Sequence, residues 1–249
     1  MVYFMKTKAL SLSLQHALSS GRPFSHFDLG LSPETLNDLE SLAVNEAGEY
    51  DNFGNLSSLE TDITRFLENL GNVPELAASA SSHINGLVLE SLEAFEAEAA
   101  WVTLRASLPT DEFNVPRWHV DGYYYGSDEG DQHKVVFTLK GASTPIADLP
   151  ENIRTDFNAL SKVCRDDTPE QRRILAALVE DHFVTSAARG QGSVFVVGPD
   201  HAAIHSEPPI HTARLFFSVM PGTSAQIEEL RRDWEAPITT YQDKASFNL

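Results

Sequence analysis

A single cysteine, Cys164, stands among 249 residues, so no disulfide can form within the chain and a thiolate zinc site is excluded. It lies in Ser161-Lys-Val-Cys-Arg-Asp-Asp with no base or oxyanion motif beside it, and reads as a half-buried thiol rather than a nucleophile. Basic residues are also scarce: 18 Lys and Arg stand against 36 Asp and Glu, a formal net charge of −18. That field repels phosphate backbones and argues against nucleic acid as a partner. No apolar run approaches the roughly 18–20 residues of a membrane span, so no membrane partner is expected either. Internal repeats, low-complexity blocks and obvious linkers are missing too, which leaves no seam at which to divide the chain. Acid is absent from the first 27 residues, which carry Lys6, Lys8 and Arg22. An organellar transit segment has that bias, but with one arginine the preferred reading is an ordinary N-terminal helix and a cytoplasmic protein.

What is present divides into helices first and strands later. Ser32-Pro33 is an N-cap followed by proline at the first helical position, and Leu36, Leu39 and Leu42 recur at helical spacing up to Gly48. Ser57 and Glu60 form a capping box for a second helix with Leu59, Ile63, Phe66, Leu67 and Leu70 on one stripe, closed by Gly71. A third helix is expected over 74–99. The period then changes to that of strands at 101–108, through the segment around His119, and at 133–140, 194–197 and 212–220. Between them, residues 149–188 turn helical again and read as an insertion, and a charged helix over 224–234 precedes a polar tail.

The chemistry concentrates in two stretches. Val115-Pro-Arg-Trp-His-Val-Asp-Gly-Tyr-Tyr-Tyr125 places an imidazole and a carboxylate two residues apart; on a strand, such positions share a face, so His119 and Asp121 can converge on one ion. The second stretch offers His205 before a Pro-Pro break, and Arg214 follows nine positions on, inside Ala213-Arg-Leu-Phe-Phe-Ser-Val219. A guanidinium buried in that run needs an acid partner, and the acid can be a ligand's. The competing readings are a metal site built on His205-x-Glu207, and a surface histidine with a structural ion pair. Of the other nearby histidines, His201 sits at a Pro-Asp turn, and His211 stands only three residues before Arg214, nearer than the resemblance described below implies for a metal ligand. Arg105 either binds a substrate carboxylate or pairs with a surface acid. By alternation Tyr123 and Tyr125 face the metal side, as a substrate wall or as plain core packing.

The order H-x-D, distal His, then Arg resembles the iron(II)- and 2-oxoglutarate-dependent oxygenase superfamily over residues 101–220. Two histidines and a carboxylate on one face of iron(II), with the opposite positions open, are that superfamily's ligand set. The resemblance implies an α+β, mainly β fold: a double-stranded β-helix (jelly roll) over 100–222 with the insertion at 149–188, supported by helices over 1–99 and followed by a C-terminal helix and tail over 223–249, all in one domain. It implies His119, Asp121 and His205 as ligands of Fe(2+), and Arg214 as the partner of the distal carboxylate of 2-oxoglutarate. The position two after the arginine, where the superfamily often has serine, is Phe216. Ser218, two further on, is the candidate for the second contact. The implied activity is oxidation, most often hydroxylation, of a small-molecule substrate with O2, giving succinate and CO2; Asp121 disfavours halogenation. Phrases such as Pro-Arg-Trp-His-Val-Asp and Ile-His-Ser-Glu-Pro-Pro are also similar to an uncharacterised bacterial domain family, which carries no activity. The rival classes are a non-catalytic jelly-roll protein binding a metal or small molecule, and a zinc hydrolase using the same triad. Nothing in the sequence fixes the oligomeric state.

Overall fold

Alternation along three strands sorts the residues onto two faces of one sheet. On β3 (Ala99–Ser107), Val102, Leu104 and Ala106 belong to one buried apolar cluster, while Trp101, Thr103 and Arg105 point the other way. On β4 (Gln132–Lys140), Val135, Phe137 and Leu139 share that cluster and Lys134 and Val136 oppose them. On β9 (Arg214–Gly222), Leu215, Phe217 and Val219 do so, opposite Arg214, Phe216 and Ser218. The first face is covered by helices, the second by another sheet.

The computed structural model describes residues 3–126, 131–164, 166–198 and 201–235. β3, β4 and β9 lie in a six-stranded antiparallel sheet with β1 (Phe24–Asp28), β2 (Gly48–Phe53) and β7 (Gln191–Val197), in the order β1-β7-β4-β9-β3-β2. A smaller sheet has the order β6-β5-β8, from β6 (Phe183–Ser186), β5 (Pro145–Asp148) and β8 (Ile204–His205). The segment at His119 extends it through a bridge to His205. From β3 onward the chain passes between the sheets: β3 large, His119 small, β4 large, β5 and β6 small, β7 large, β8 small, β9 large. That winding is a double-stranded β-helix, a jelly roll.

The helices cover the outer face of the large sheet. In α1 (Tyr3–Leu18), Leu10 and Leu14 are buried; in α3 (Leu56–Asn69), Leu59, Ile63 and Leu67; in α4 (Pro74–Phe95), Ile84, Leu87 and Val88. Each such fully buried aliphatic side chain is worth roughly 1.5–3 kcal/mol of transfer free energy. α2 (Pro33–Ser41) starts as expected, with Ser32 Oγ accepting from the Thr35 amide at 3.1 Å. On the outer side of the small sheet, α5 (Glu151–Ser161) and α6 (Pro169–Val179) bury Phe157, Leu175 and Val179 against Trp118, Ala147 and Ile204. α7 (Ser224–Glu235) closes the described chain. No helix among the described residues is long and apolar enough to cross a membrane.

Several sequence expectations change. α3 starts with Asn55 at the N-cap position and has no side-chain cap, and the Ser57 hydroxyl donates to Asn55 Oδ1 at 2.8 Å instead of capping. α4 stops at Phe95, where Glu96 turns left-handed at φ 51°, so Ala99 already begins β3. The stretch read as helical over 149–188 ends in a strand, β6, and β1 and β2 were not legible at all. The segment around His119 is irregular apart from its single bridge. The polar tail lies outside the described residues.

Candidate metal centre

His119 and His205 are joined through their backbones. Each amide donates to the other's carbonyl at 2.9 Å. Residues that exchange both bonds stand directly opposite, so their side chains share a face. Trp118 and Ile204 therefore point outward to α5 and α6, and the two imidazoles point inward, their centroids 4.3 Å apart. His119 Nδ1 lies 2.8 Å from the Arg117 carbonyl and His205 Nδ1 lies 3.0 Å from the Ala203 carbonyl. A carbonyl can only accept, so each Nδ1 carries a proton, and Nε2, the atom that would bind a metal, points inward on each ring.

Asp121 reaches the same point without a strand. Its carbonyl accepts from the Gly198 amide at 2.8 Å, which pins the turn after His119 to the end of β7. Gly198 has φ +104°, and a Cβ there would meet the Tyr123 ring at 2.4 Å, so only glycine fits this contact. The Asp121 carboxylate is 2% exposed and divided in its duties. Oδ2 accepts from Lys134 Nζ and from the Tyr124 hydroxyl, both at 3.1 Å. Oδ1 is buried with no hydrogen-bond partner and lies 3.7 and 3.6 Å from the Nε2 atoms of His119 and His205. Three ligand atoms, all within 4.8 Å of one another, thus aim at one point.

The electrostatics agree with that geometry. Burial, with lesser contributions from His205 and Arg117, lowers the His119 pKa from 6.5 to about 4, so the ring is neutral at pH 7. Burial would raise Asp121, but Lys134 and the two histidines outweigh it and hold the carboxyl well below the usual range. Lys134 is likewise kept charged: Asp121 outweighs the burial that opposes it. A buried charged oxygen without a partner costs more than the roughly 1–3 kcal/mol of a neutral one. A divalent cation between Oδ1 and the two Nε2 atoms would satisfy all three, and nitrogen and carboxylate donors suit iron or zinc. The residues fit a metal ion.

Around this point is a chamber of ≈ 50 Å³, lined also by Thr103, Arg105, Val136, Thr144, Phe195, Glu207, Arg214, Phe216 and Ser218. Arg214 is 5% exposed; it donates to the Ala142 carbonyl at 2.9 Å and to Thr144 Oγ1 at 3.1 Å, and lies over the Phe216 ring at 4.7 Å. Among the described residues no carboxylate forms an ion pair with it, and burial lowers its pKa to about 10. Ser218 is on the same face of β9. Arg105 lines the chamber and also pairs with Glu49 at 2.6 Å, so both of its expected surroundings are present. The chamber shares Arg105, Glu207 and Arg214 with a groove of ≈ 730 Å³.

Glu207 is not grouped with the metal-facing atoms. Both of its oxygens are taken by Arg117 in a two-pronged ion pair, and His119 and Arg117 hold its pKa at about 2 against the effect of burial. His201 and His211 are exposed. The tyrosine alternation needs correction. Tyr123 packs by Gly198, the Tyr125 hydroxyl donates to the Pro221 carbonyl at 3.0 Å, and neither lines the chamber; Tyr124 is the one that reaches Asp121. The irregular backbone after Asp121 breaks the parity on which the expectation rested. Lys134, Tyr124 and Arg117 are site residues that the sequence reading missed.

Fold and site define a class: a double-stranded β-helix protein with a two-histidine, one-carboxylate centre. No protein-family model and no curated protein matches the chain. Solved structures similar to it include a prolyl-4-hydroxylase from Pseudomonas putida, at 11% identity over 86% of this chain and 98% of that one, with a TM-score of 0.43. Another is a prolyl hydroxylase from Trichoplax adhaerens in complex with a hypoxia-inducible-factor degradation-domain peptide, at 8% identity over 92% and 96%, with a TM-score of 0.43. A third is the dioxygenase for auxin oxidation from Arabidopsis thaliana bound to 2-oxoglutarate, at 10% identity over 86% and 88%, with a TM-score of 0.41. Likeness at this level leaves the activity to be argued from the site.

Proposed function

We propose that this protein is an iron(II)- and 2-oxoglutarate-dependent dioxygenase that oxidises a small-molecule substrate, with hydroxylation the default outcome. One observation supports the reading: a single chamber holds three converging lone pairs and, on the inward face of the large sheet, a buried guanidinium with no ion-pair partner among the described residues. His119, Asp121 and His205 hold the metal. Arg214 receives the distal carboxylate of the oxo acid through its planar fork, and Ser218 offers the second contact. With 2-oxoglutarate and dioxygen, bound iron(II) supplies the redox chemistry that couples decarboxylation, to succinate and CO2, to substrate oxidation. The side chains need not move protons; they keep the ligand oxygen of Asp121 and both Nε2 atoms on one side and leave the groove side open. That groove's volume falls within the roughly 300–1,000 Å³ of small-ligand sites, and Arg105 at its junction with the chamber can meet an anionic substrate group.

Anaerobic titration with iron(II) and then 2-oxoglutarate should develop the weak visible charge-transfer band of the chelate, and air should then release succinate. Iron binding with no such band, or hydrolysis supported by zinc without an oxo acid, would displace this reading. Arg214→Met separates the co-substrate from the metal. It should leave iron affinity nearly unchanged and raise the 2-oxoglutarate dissociation constant by about 30- to several-thousand-fold, the loss of a buried charge pair worth about 2–5 kcal/mol. Arg214→Lys should restore only part, since a point charge replaces a fork. Unchanged 2-oxoglutarate affinity in folded Arg214→Met would make the arginine structural.

A further inference from the structure

We propose that Lys134 is a resident counter-ion of the metal centre: by holding one oxygen of Asp121 it keeps the metal-free protein charge-balanced and, for the same reason, weakens the centre's grip on a divalent ion. The inference rests on the reading above only in taking His119, Asp121 and His205 as metal ligands; it needs neither 2-oxoglutarate nor oxidation.

The geometry is a closed triangle. Lys134 Nζ donates to Asp121 Oδ2 at 3.1 Å and to the Tyr124 oxygen at 3.0 Å, and the Tyr124 hydroxyl donates to the same Oδ2 at 3.1 Å. All three residues are buried, Lys134 at 7% exposure, so water does little to screen them. The lysine is fixed by its strand. β4 is hydrogen-bonded on both sides, to β7 and β9, and Lys134 sits opposite Phe195 with its side chain on the inward face.

Two consequences follow from counting charge. The paired carboxylate and ammonium sum to zero in the metal-free protein, and a divalent ion takes the pair to +2. Without the ammonium the same group runs from −1 to +1, so the metal-free state is worse and the ion meets attraction with no opposing charge beside its carboxylate. Against this stands orientation: the lysine also helps turn Oδ1 toward the imidazoles, and loss of an outer partner of a ligand typically costs about 10–100-fold in metal affinity. Here two other constraints on Asp121 remain, the Tyr124 hydroxyl on Oδ2 and the Gly198 amide on the backbone carbonyl at 2.8 Å. Repulsion between a divalent ion and an ammonium sharing one buried carboxylate exceeds what is left of the orientation effect. The other charged groups at the chamber, Arg214, Arg105 with Glu49, and Glu207 with Arg117, are the same in both cases.

The test uses the full chain, stripped of metal, with Co(2+) as probe and chelator competition as the readout, alongside thermal melts. Lys134→Met should bind Co(2+) about tenfold or more tightly than the wild type, while its metal-free form melts at a lower temperature and gains more on adding the ion. Lys134→Arg, which keeps the charge, should bind Co(2+) like the wild type. Equal or weaker Co(2+) binding by folded Lys134→Met overturns the proposal. If Lys134→Met does not fold without metal, the double variant Asp121→Asn with Lys134→Met, which removes both charges, should melt above the single variant; a double variant no more stable overturns it as well. A wild type that binds no Co(2+) defeats the metal-site reading, and this inference with it. Normal wild-type binding with no tightening in Lys134→Met defeats the counter-ion role alone.

Discussion

His119 is held in its ligand form by burial, and that has a cost on the acid side. Its folded pKa of about 4 lies below the unfolded 6.5, so between these values the unfolded chain binds more protons than the folded one. Stability from this group is therefore complete above pH 6.5 and is lost as pH falls toward 4. Urea unfolding of the metal-free protein across this window should show a falling midpoint, and His119→Ala should show a shallower fall. The same variant should lose iron binding while keeping its fold; wild-type iron occupancy would remove His119 from the site. Arg214 was legible because a guanidinium in Leu-Phe-Phe demands an anion. Lys134 stands in a comparable run, Lys-Val-Val-Phe, and the same demand applied to it would have signalled an acid nearby. That the acid is Asp121, 13 residues back, no periodicity could tell.

Among the elements, those with apolar residues on alternate positions, β3, β4, β7 and β9, could be read because one face of each is buried under helices. β8 is two residues long and carries no period, yet it places the distal histidine; only the Pro-Pro break after it gave a hint. β1, β2 and β6 escaped because edge strands with mixed burial alternate weakly. The metal loop succeeded for a reason other than the one expected. His119 and Asp121 converge through a single bridge and an anchored turn, not through strand pleating. That turn is open to test at Gly198. Gly198→Ala should cost about 1–3 kcal/mol in chemical denaturation from backbone strain alone. By displacing Tyr123 it should also loosen the metal more than a surface substitution of equal destabilisation. Wild-type metal affinity in Gly198→Ala would mean that the anchor does not set the carboxylate.

At the scale of the molecule, the large sheet divides two jobs: one face supplies the apolar area that folds the chain, the other a polar lining held between two sheets. The helices that complete the first face were readable from their stripes, whereas the juxtaposition of the sheets needed pairings between distant segments. The polar lining also differs from the exterior in charge balance. The chain carries a formal charge of −18, whereas in the chamber and groove Arg105, Arg117, Arg172 and Lys134 are matched by Glu49, Glu207, Asp167 and Asp121, and Arg214 has no ion-pair partner among the described residues. An incoming dianion must therefore cross a repulsive outer field before it meets the attraction inside. Screening reaches the outer field first, since the Debye length is about 10 Å at 0.1 M salt and buried pairs are screened far less. Stopped-flow mixing should show the association rate of 2-oxoglutarate rising with added salt while its dissociation rate stays nearly constant; an association rate that falls would place an attractive field outside the mouth. For this protein, ionic strength acts as a control on arrival rather than on residence.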